Sequence, residues 1–287
     1  MLFRSGSTKS IKLYSTIKGH TDSGQFIPIQ KAAAFALDNY KEQIKLLADA
    51  GVELLVAETL MSADEATVIC DAARAVCNLP LIISFTCEGD GTLYFGGTIA
   101  EAAAVMEAMG ADAVGVNCSV GPDQLDAMIR QLSETVSIPI VAKPNAGLPK
   151  QRDGKTYYDV TEDEFAAYME QIVRMGACVI GGCCGTTPEH IRAMRKRCEN
   201  AELVPVTEKE FTVVSSYGQS VILGEGSKII GERINPTGKK RFKQALKEHD
   251  LDYILREGIT QQDQGAHILD VNVGLPDIDE PALMEEV

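Results

Sequence analysis

Short apolar runs alternate with amphipathic segments through residues 30–200, and this alternation constrains the fold more than any other feature of the chain. The runs predicted as strands are 52–58, 79–84, 113–118, 138–143 and 179–183. The segments predicted as helices are 32–50, 63–76, 99–109, 123–135, 162–175 and 188–197. Strands about thirty residues apart with helices between them predict right-handed crossovers and a parallel sheet. Several such units, with reactive residues at the strand ends, indicate a (β/α)8 barrel of the TIM type.

Two adjacent cysteines, Cys183 and Cys184, follow two glycines at the end of the last predicted strand. Adjacent cysteines rarely bond to each other, because their Cα atoms are too close for relaxed disulfide geometry. Both can ligate one soft metal where glycines let the backbone bend. Cys118 ends another strand and precedes its own Gly-Pro turn. Three thiolates at two strand ends predict a zinc site with an open fourth position, which suits an enzyme that activates a thiol.

The alternative is that these cysteines are small core residues, since free cysteine is often buried. For one cysteine we favour that interpretation, and for the three in matching contexts we favour zinc, with sulfur separations of about 4 Å. The other cysteines are interpreted as core or surface residues: Cys70, Cys77, Cys87, Cys178 and Cys198. Cys87 is the ambiguous case because it lies just past a strand. Eight cysteines in 287 residues indicate reduced thiols and a cytoplasmic protein.

Three motifs carry a resemblance to a known family: Asn117-Cys118-Ser119, the loop Pro144–Pro149, and the stretch Gly181–His190. Together they resemble the homocysteine S-methyltransferase family. The resemblance implies that Cys118, Cys183 and Cys184 hold Zn²⁺ and that homocysteine is the substrate. It also implies that Glu58, at the end of a strand, contacts the substrate's α-amino group; the alternative is a solvated strand-end acid. The other residues predicted near the substrate are Asn117, Ser119 and Asn145, whose alternative role is to stabilise turns. His190 is expected in the first turn of a helix.

A second signature occupies 229–238 and 268–273. It resembles the opening of the pterin-binding barrel that follows the homocysteine module in cobalamin-dependent members of this family. Glu232 and Asn235 are expected at the end of its first strand, and period-2 alternation along the second strand places Asp270 and Asn272 on the same face. The resemblance implies that these four residues bind the pterin ring. The predicted domains are a zinc barrel at 1–202, a linker at 203–226 with a short strand pair, and the start of the second barrel at 227–287.

A closed barrel needs eight strands, and the first domain supplies five, with a sixth predicted at 10–17. The family places further strands before that region, so we expect a barrel truncated at its amino-terminal side. Residues 1–8 match nothing in the family and are interpreted as a foreign start. The second barrel is expected to be cut after its first β/α units, and the fragment alone to be inactive or partly active.

The function implied is methyl transfer to the thiol of homocysteine to form methionine, with methyltetrahydrofolate as the ultimate donor. Methylcobalamin would carry the methyl group on cobalamin-binding and activation domains downstream of this chain. The alternatives are a sulfonium or betaine donor without cobalamin, and a non-catalytic zinc or scaffold protein. A formal charge of −14 argues against nucleic-acid binding, and no apolar run reaches the length of a membrane span.

Overall fold

The computed structural model describes residues 29–216, 219–224, 226–276 and 278–287. The strand predicted at 10–17 and the interpretation of residues 1–8 lie outside the described residues. The chain divides into two compact units, one of residues up to 210 with 215–220, the other of 211–214 with 221–287. No helix among the described residues is long and apolar enough to cross a membrane.

The first unit is built on a five-stranded sheet in the order β1-β2-β3-β4-β7, with every neighbouring pair parallel. Its strands are β1 Leu55–Leu60, β2 Leu81–Phe85, β3 Ala113–Cys118, β4 Ile140–Pro144 and β7 Ala177–Ile180. A small antiparallel hairpin, β5 Lys150–Arg152 and β6 Lys155–Tyr157, follows β4. Because consecutive parallel strands lie side by side, their carboxyl ends meet along one edge. The predicted parallel α/β fold is therefore confirmed.

The helices of this unit connect the strands in chain order. They are α1 Ile29–Asp49, α2 Ala63–Val76, α3 Ile99–Ala108, α4 Asp126–Thr135, α5 Glu162–Arg174 and α6 Pro188–Cys198. Side-chain capping fixes several starts: Thr98 and Thr161 each form a reciprocal capping box with the glutamate three residues on, which satisfies amide donors that the first turn leaves free. The helix predicted at 123–135 is divided, because a 3₁₀ turn at Pro122–Gln124 precedes α4.

The core of this unit lies between the sheet and its helices. Strand residues such as Ile83, Phe85, Val114 and Val116 are fully buried, which explains why the strands appear as continuous apolar runs. Phe165 of α5 is buried as well and packs edge-on against His190.

The prediction of a strand at 179–183 is wrong at the carboxyl end, because β7 ends at Ile180. Gly182 has no room for a side chain: an added Cβ would lie 2.4 Å from a Thr186 methyl carbon. The backbone nevertheless stays attached to β4, since the Cys183 N–H donates to the Pro144 carbonyl at 2.8 Å. The cysteine pair therefore lies in a tight loop beyond the strand.

The second unit contains a two-stranded parallel sheet of β10 Ile230–Ile234 and β11 Ile268–Val271. Its helices are α7 Lys240–Glu248, α8 Leu251–Asp263 and α9 Glu280–Glu286. Its buried core consists of Ile234, Phe242, Ala245, Leu246, Ile254, Val273 and Leu283. The predicted short strand pair is found as β8 Thr212–Ser215 and β9 Ser220–Leu223.

A buried hydrogen-bonded pair between α1 and α2 predicts a pH dependence of stability. The Tyr40 hydroxyl donates to Glu65 at 2.6 Å, and burial raises the pKa of Glu65 from 4.5 to about 7. The folded protein therefore keeps this proton between those pH values while the unfolded chain loses it, so stability falls as the pH rises through that window.

We expect Glu65→Gln to remove this loss and to raise the free energy of unfolding at pH 8, relative to wild type, by about 3 kcal/mol. Urea unfolding at pH 4.5 and pH 8 measures it. Glu53→Gln, at an exposed position, is the control and should show no pH-dependent difference. An equal effect of Glu65→Gln at both pH values would contradict the assignment.

Candidate metal centre

Three cysteine sulfurs converge at the carboxyl edge of the sheet. Cys118 ends β3, and its Sγ lies 2.6 Å from that of Cys183 and 3.9 Å from that of Cys184. All three sulfurs lie within 4.8 Å of one another. Thiolates held about 2.3 Å from one tetrahedral zinc would be about 3.8 Å apart, so small adjustments would bring these donors to one ion. The donor set and its convergence fit zinc.

The thiols of Cys118 and Cys183 differ in pKa. The hydrogen bond from Cys118 lowers the pKa of Cys183 to about 6, and the same contact, with burial, raises the pKa of Cys118. A thiolate at neutral pH is the form that ligates a metal.

The backbone at the first cysteine is strained. Cys118 and Ser119 both have φ of 55°, in the left-handed region, which non-glycine residues rarely occupy and which costs about 1–3 kcal/mol per residue. Thr59, at the end of β1, has φ of 66° and is β-branched, which makes the conformation still less common. Surrounding contacts must therefore hold this backbone in place.

Asn117 supplies much of that restraint. Its side chain is fully buried, and its Oδ1 accepts from the Thr59 N–H at 2.8 Å and the Ser84 hydroxyl at 2.7 Å. Its Nδ2 donates to the Thr59 hydroxyl at 2.7 Å and lies 4.0 Å from Cys183 Sγ. Asn117 therefore ties β1, β2 and β3 together directly beneath the cysteines.

We expect Asn117→Ala to lower the free energy of unfolding by about 2 kcal/mol, because the Thr59 amide and the Ser84 hydroxyl lose a buried acceptor. Chemical denaturation measures the change. Asn39→Ala is the matched control, since Asn39 lies on an exposed helix face and, among the described residues, bonds only to the Phe35 carbonyl four residues before it. Equal losses of unfolding free energy in the two variants would show that the hydrogen bonds of Asn117 do not stabilise the fold.

The two other polar residues predicted near the substrate also contact the cysteine loops. Asn145 is buried, and its Oδ1 accepts from the Cys184 N–H at 3.0 Å. The Ser119 hydroxyl accepts from the Cys87 N–H at 3.0 Å and donates to the Asn117 carbonyl. The Asn145 side chain thus orients the backbone of Cys184. The Ser119 side chain orients the backbone of Cys87 and of Asn117, which precedes Cys118.

Glu58 is buried near the end of β1 and forms an ion pair with Lys143 of β4. Sequence reasoning predicted a role for Glu58 and missed Lys143 altogether. A lysine after three apolar strand residues was the available signal, because a cation at such a position needs a partner.

The remaining candidates lie apart from the three sulfurs. Cys87 is fully buried, its Sγ lies 3.4 Å from Met128 Sδ, and burial raises its pKa to about 11. His190, in the first turn of α6 as expected, places one ring nitrogen 3.0 Å from the Thr187 hydroxyl and the other 3.0 Å from the Val160 carbonyl.

The residues predicted to contact a pterin are placed less regularly than expected. Glu232 lies inside β10, where a strand-end position was predicted, and its carboxylate is 3.5 Å from Lys239 Nζ. Asn272 lies past the end of β11, so it does not alternate with Asp270 within the strand. Asn235 and Asn272 each accept a backbone N–H two residues ahead, at 2.9 Å, which stabilises local turns. Asp270 is exposed.

Two curated methionine synthases are similar to the chain. That of Mycobacterium leprae (strain TN) is 34% identical over 250 residues, covering 82% of this chain and 21% of the relative. That of Mycobacterium tuberculosis (strain ATCC 25618 / H37Rv) is 31% identical over 267 residues, covering 90% and 22%. The chain therefore spans about a fifth of the length of these relatives.

Among solved structures, the apo form of the homocysteine methyltransferase MmuM from Escherichia coli is 26% identical, with a TM-score of 0.49 over 57% of each chain. The model of the family described as homocysteine S-methyltransferase matches residues 14–198, which include all three converging cysteines and Glu58. This chain belongs to the homocysteine S-methyltransferase family.

Proposed function

We propose that this chain binds homocysteine and methylates its sulfur to form methionine, as the homocysteine-binding part of a cobalamin-dependent methionine synthase. The observation that carries the proposal is the convergence of Cys118, Cys183 and Cys184 at the carboxyl edge of a parallel sheet. Family membership and the similarity to two methionine synthases support it. A scaffold role would not need three thiols at the edge where α/β folds bind their ligands.

In this proposal, each residue near the three sulfurs has its own role. Cys118, Cys183 and Cys184 would hold zinc, with Asn117 and Ser119 fixing the strained turn and Asn145 fixing the Cys184 backbone. Zinc bound there would keep an incoming substrate thiol deprotonated at neutral pH, which makes it a nucleophile. Glu58 would bind the substrate's α-ammonium group and orient the sulfur toward the methyl donor.

For the donor, we propose methyltetrahydrofolate, acting through methylcobalamin held outside this chain. The second unit supports this proposal, since its parallel strands β10 and β11 carry the sequence resemblance to a pterin-binding barrel. The proposed domains remain 1–202, a zinc-binding barrel of the TIM type; 203–226, a linker; and 227–287, the first β/α units of a second barrel. The proposed pterin contacts are Glu232, Asn235, Asp270 and Asn272.

The test measures methyl transfer by the zinc-loaded chain from free methylcobalamin to homocysteine. The loss of methylcobalamin absorbance and the formation of methionine report the transfer. We expect transfer that depends on homocysteine and disappears in Cys184→Ala. Cys198→Ala is the control, because Cys198 lies at the end of α6 and outside the cluster. Transfer from a sulfonium or betaine donor and none from methylcobalamin would favour the alternative donor. No transfer from any donor by a polypeptide that also includes complete pterin and cobalamin modules would contradict the proposed reaction.

A further inference from the structure

The ion pair between Glu58 and Lys143 differs from the other salt bridges of the described residues in its burial. The two side chains are 10% and 16% exposed, whereas in each of the other pairs at least one partner is half-exposed or more. Taking two charges out of water costs free energy that their attraction only partly offsets. An exposed ion pair contributes little to the free energy of folding. A buried pair is costly to form, so its presence indicates a role other than stabilising the fold.

The pair connects strands that are not neighbours. Glu58 is on β1 and Lys143 on β4, with β2 and β3 between them. Strands about 4.8 Å apart would place β1 and β4 about 14 Å from each other in a flat sheet, beyond the reach of these side chains. The sheet must therefore curl, and the pair crosses its concave side.

That position is next to the cysteine cluster. Lys143 is in register with Asn117, one residue before the pairing of Pro144 with Cys118. The Lys143 stem lies along Gly181, where an added Cβ would be 3.3 Å from its Cγ. On the other side, Glu58 precedes Thr59, which Asn117 holds by two hydrogen bonds. One carboxylate and one ammonium thus face each other across the concave side, close to the three thiols.

An α-amino acid carries an ammonium group, which can pair with Glu58, and a carboxylate, which can pair with Lys143. We propose that Glu58 and Lys143 form a charge template for the substrate's head group, in which the α-ammonium replaces Lys143 on Glu58 and the Lys143 ammonium turns to the α-carboxylate. This inference rests on the proposed function and adds to it a residue for the carboxylate. Without substrate, the two residues neutralise each other; with it, every buried charge keeps an opposite partner.

The test compares three thiols by calorimetric titration of the zinc-loaded protein. Homocysteine carries both charges, 3-aminopropane-1-thiol lacks the carboxylate, and 4-sulfanylbutanoate lacks the amine. We expect wild type to bind homocysteine about 10- to 100-fold more tightly than either analogue, the range for a hydrogen bond to a charged group. Equal affinity for homocysteine and 3-aminopropane-1-thiol would overturn the proposal without any variant.

Lys143→Met keeps the stem beside Gly181 and removes the charge. It should bind homocysteine and 3-aminopropane-1-thiol about equally, while still preferring homocysteine to 4-sulfanylbutanoate. Lys143→Arg keeps the charge and should keep the discrimination. Lys150→Met is the matched control, because it breaks a surface ion pair with Asp159; it should bind all three thiols as wild type does.

The two proposals fail in different ways. If Lys143→Met still discriminates against 3-aminopropane-1-thiol as wild type does, Lys143 is only a counter-ion for Glu58 and this inference is wrong, while homocysteine binding stands. If wild type retains zinc and binds none of the three thiols, the proposed function fails and this inference with it.

Discussion

Replacing Cys184 with alanine is expected to abolish both zinc retention and methyl transfer to homocysteine. Cys184 is the exposed member of the cluster, and its sulfur lies 3.9 Å from that of Cys118. Removing one of three protein thiolates leaves two ligands, too few for the three-ligand set of a catalytic zinc site. The measurement is zinc per chain after dialysis, together with the rate of methionine formation. Cys183→Ala and the serine replacements of both residues should behave in the same way.

Controls separate a lost ligand from a lost fold. Cys178→Ala removes an exposed cysteine outside the cluster and should keep zinc and activity. In a polypeptide that includes complete pterin and cobalamin modules, methyl transfer from methyltetrahydrofolate to cobalamin should survive Cys184→Ala, because that half-reaction belongs to another module. A Cys184→Ala protein that keeps one zinc and its homocysteine activity would contradict the ligand assignment.

Replacing Glu58 with glutamine is expected to weaken homocysteine binding by about 100-fold while zinc remains bound. The substitution keeps the shape and removes the charge that would bind the α-ammonium, and hydrogen bonds to charged groups lie in this range. It also leaves Lys143 without its carboxylate partner. Calorimetric titration with homocysteine, alongside zinc content, measures both effects.

Glu53→Gln, at an exposed position shortly before β1, is the control and should leave both values unchanged. Loss of zinc in Glu58→Gln would mean that the acid supports the metal site. Unchanged homocysteine affinity would mean that another group binds the substrate's amine.

The parallel sheet and the meeting of the cysteines could be predicted from sequence for a simple physical reason. Apolar runs with helices between them favour crossovers of one hand, and these crossovers place the carboxyl ends of the strands at one edge. Cys118 and the Cys183–Cys184 pair were therefore expected at the same edge of the sheet, where the structure brings their sulfurs together. The helix 63–76 and the strand 113–118 have the predicted bounds because caps and apolar patterns coincide there.

What could not be predicted depends on contacts between distant strands. The ion pair of Glu58 and Lys143 joins residues 85 positions apart across the concave side of the sheet, and neither residue signals the other in the sequence. The left-handed backbone at Thr59 and Cys118 is likewise held by tertiary contacts from Asn117, which override local preference. The end of β7 was misjudged because Gly182 allows a tight turn that an apolar pattern does not reveal.

X-ray absorption at the zinc edge, with and without homocysteine, tests the central claim most directly. The claim is that Cys118, Cys183 and Cys184 hold one zinc whose remaining position accepts the substrate's sulfur. We expect one zinc per chain with three sulfur neighbours, rising to four on addition of homocysteine, with release of about one proton as the thiol ionises. A chain without zinc, or a sulfur count unchanged by saturating homocysteine, would contradict it.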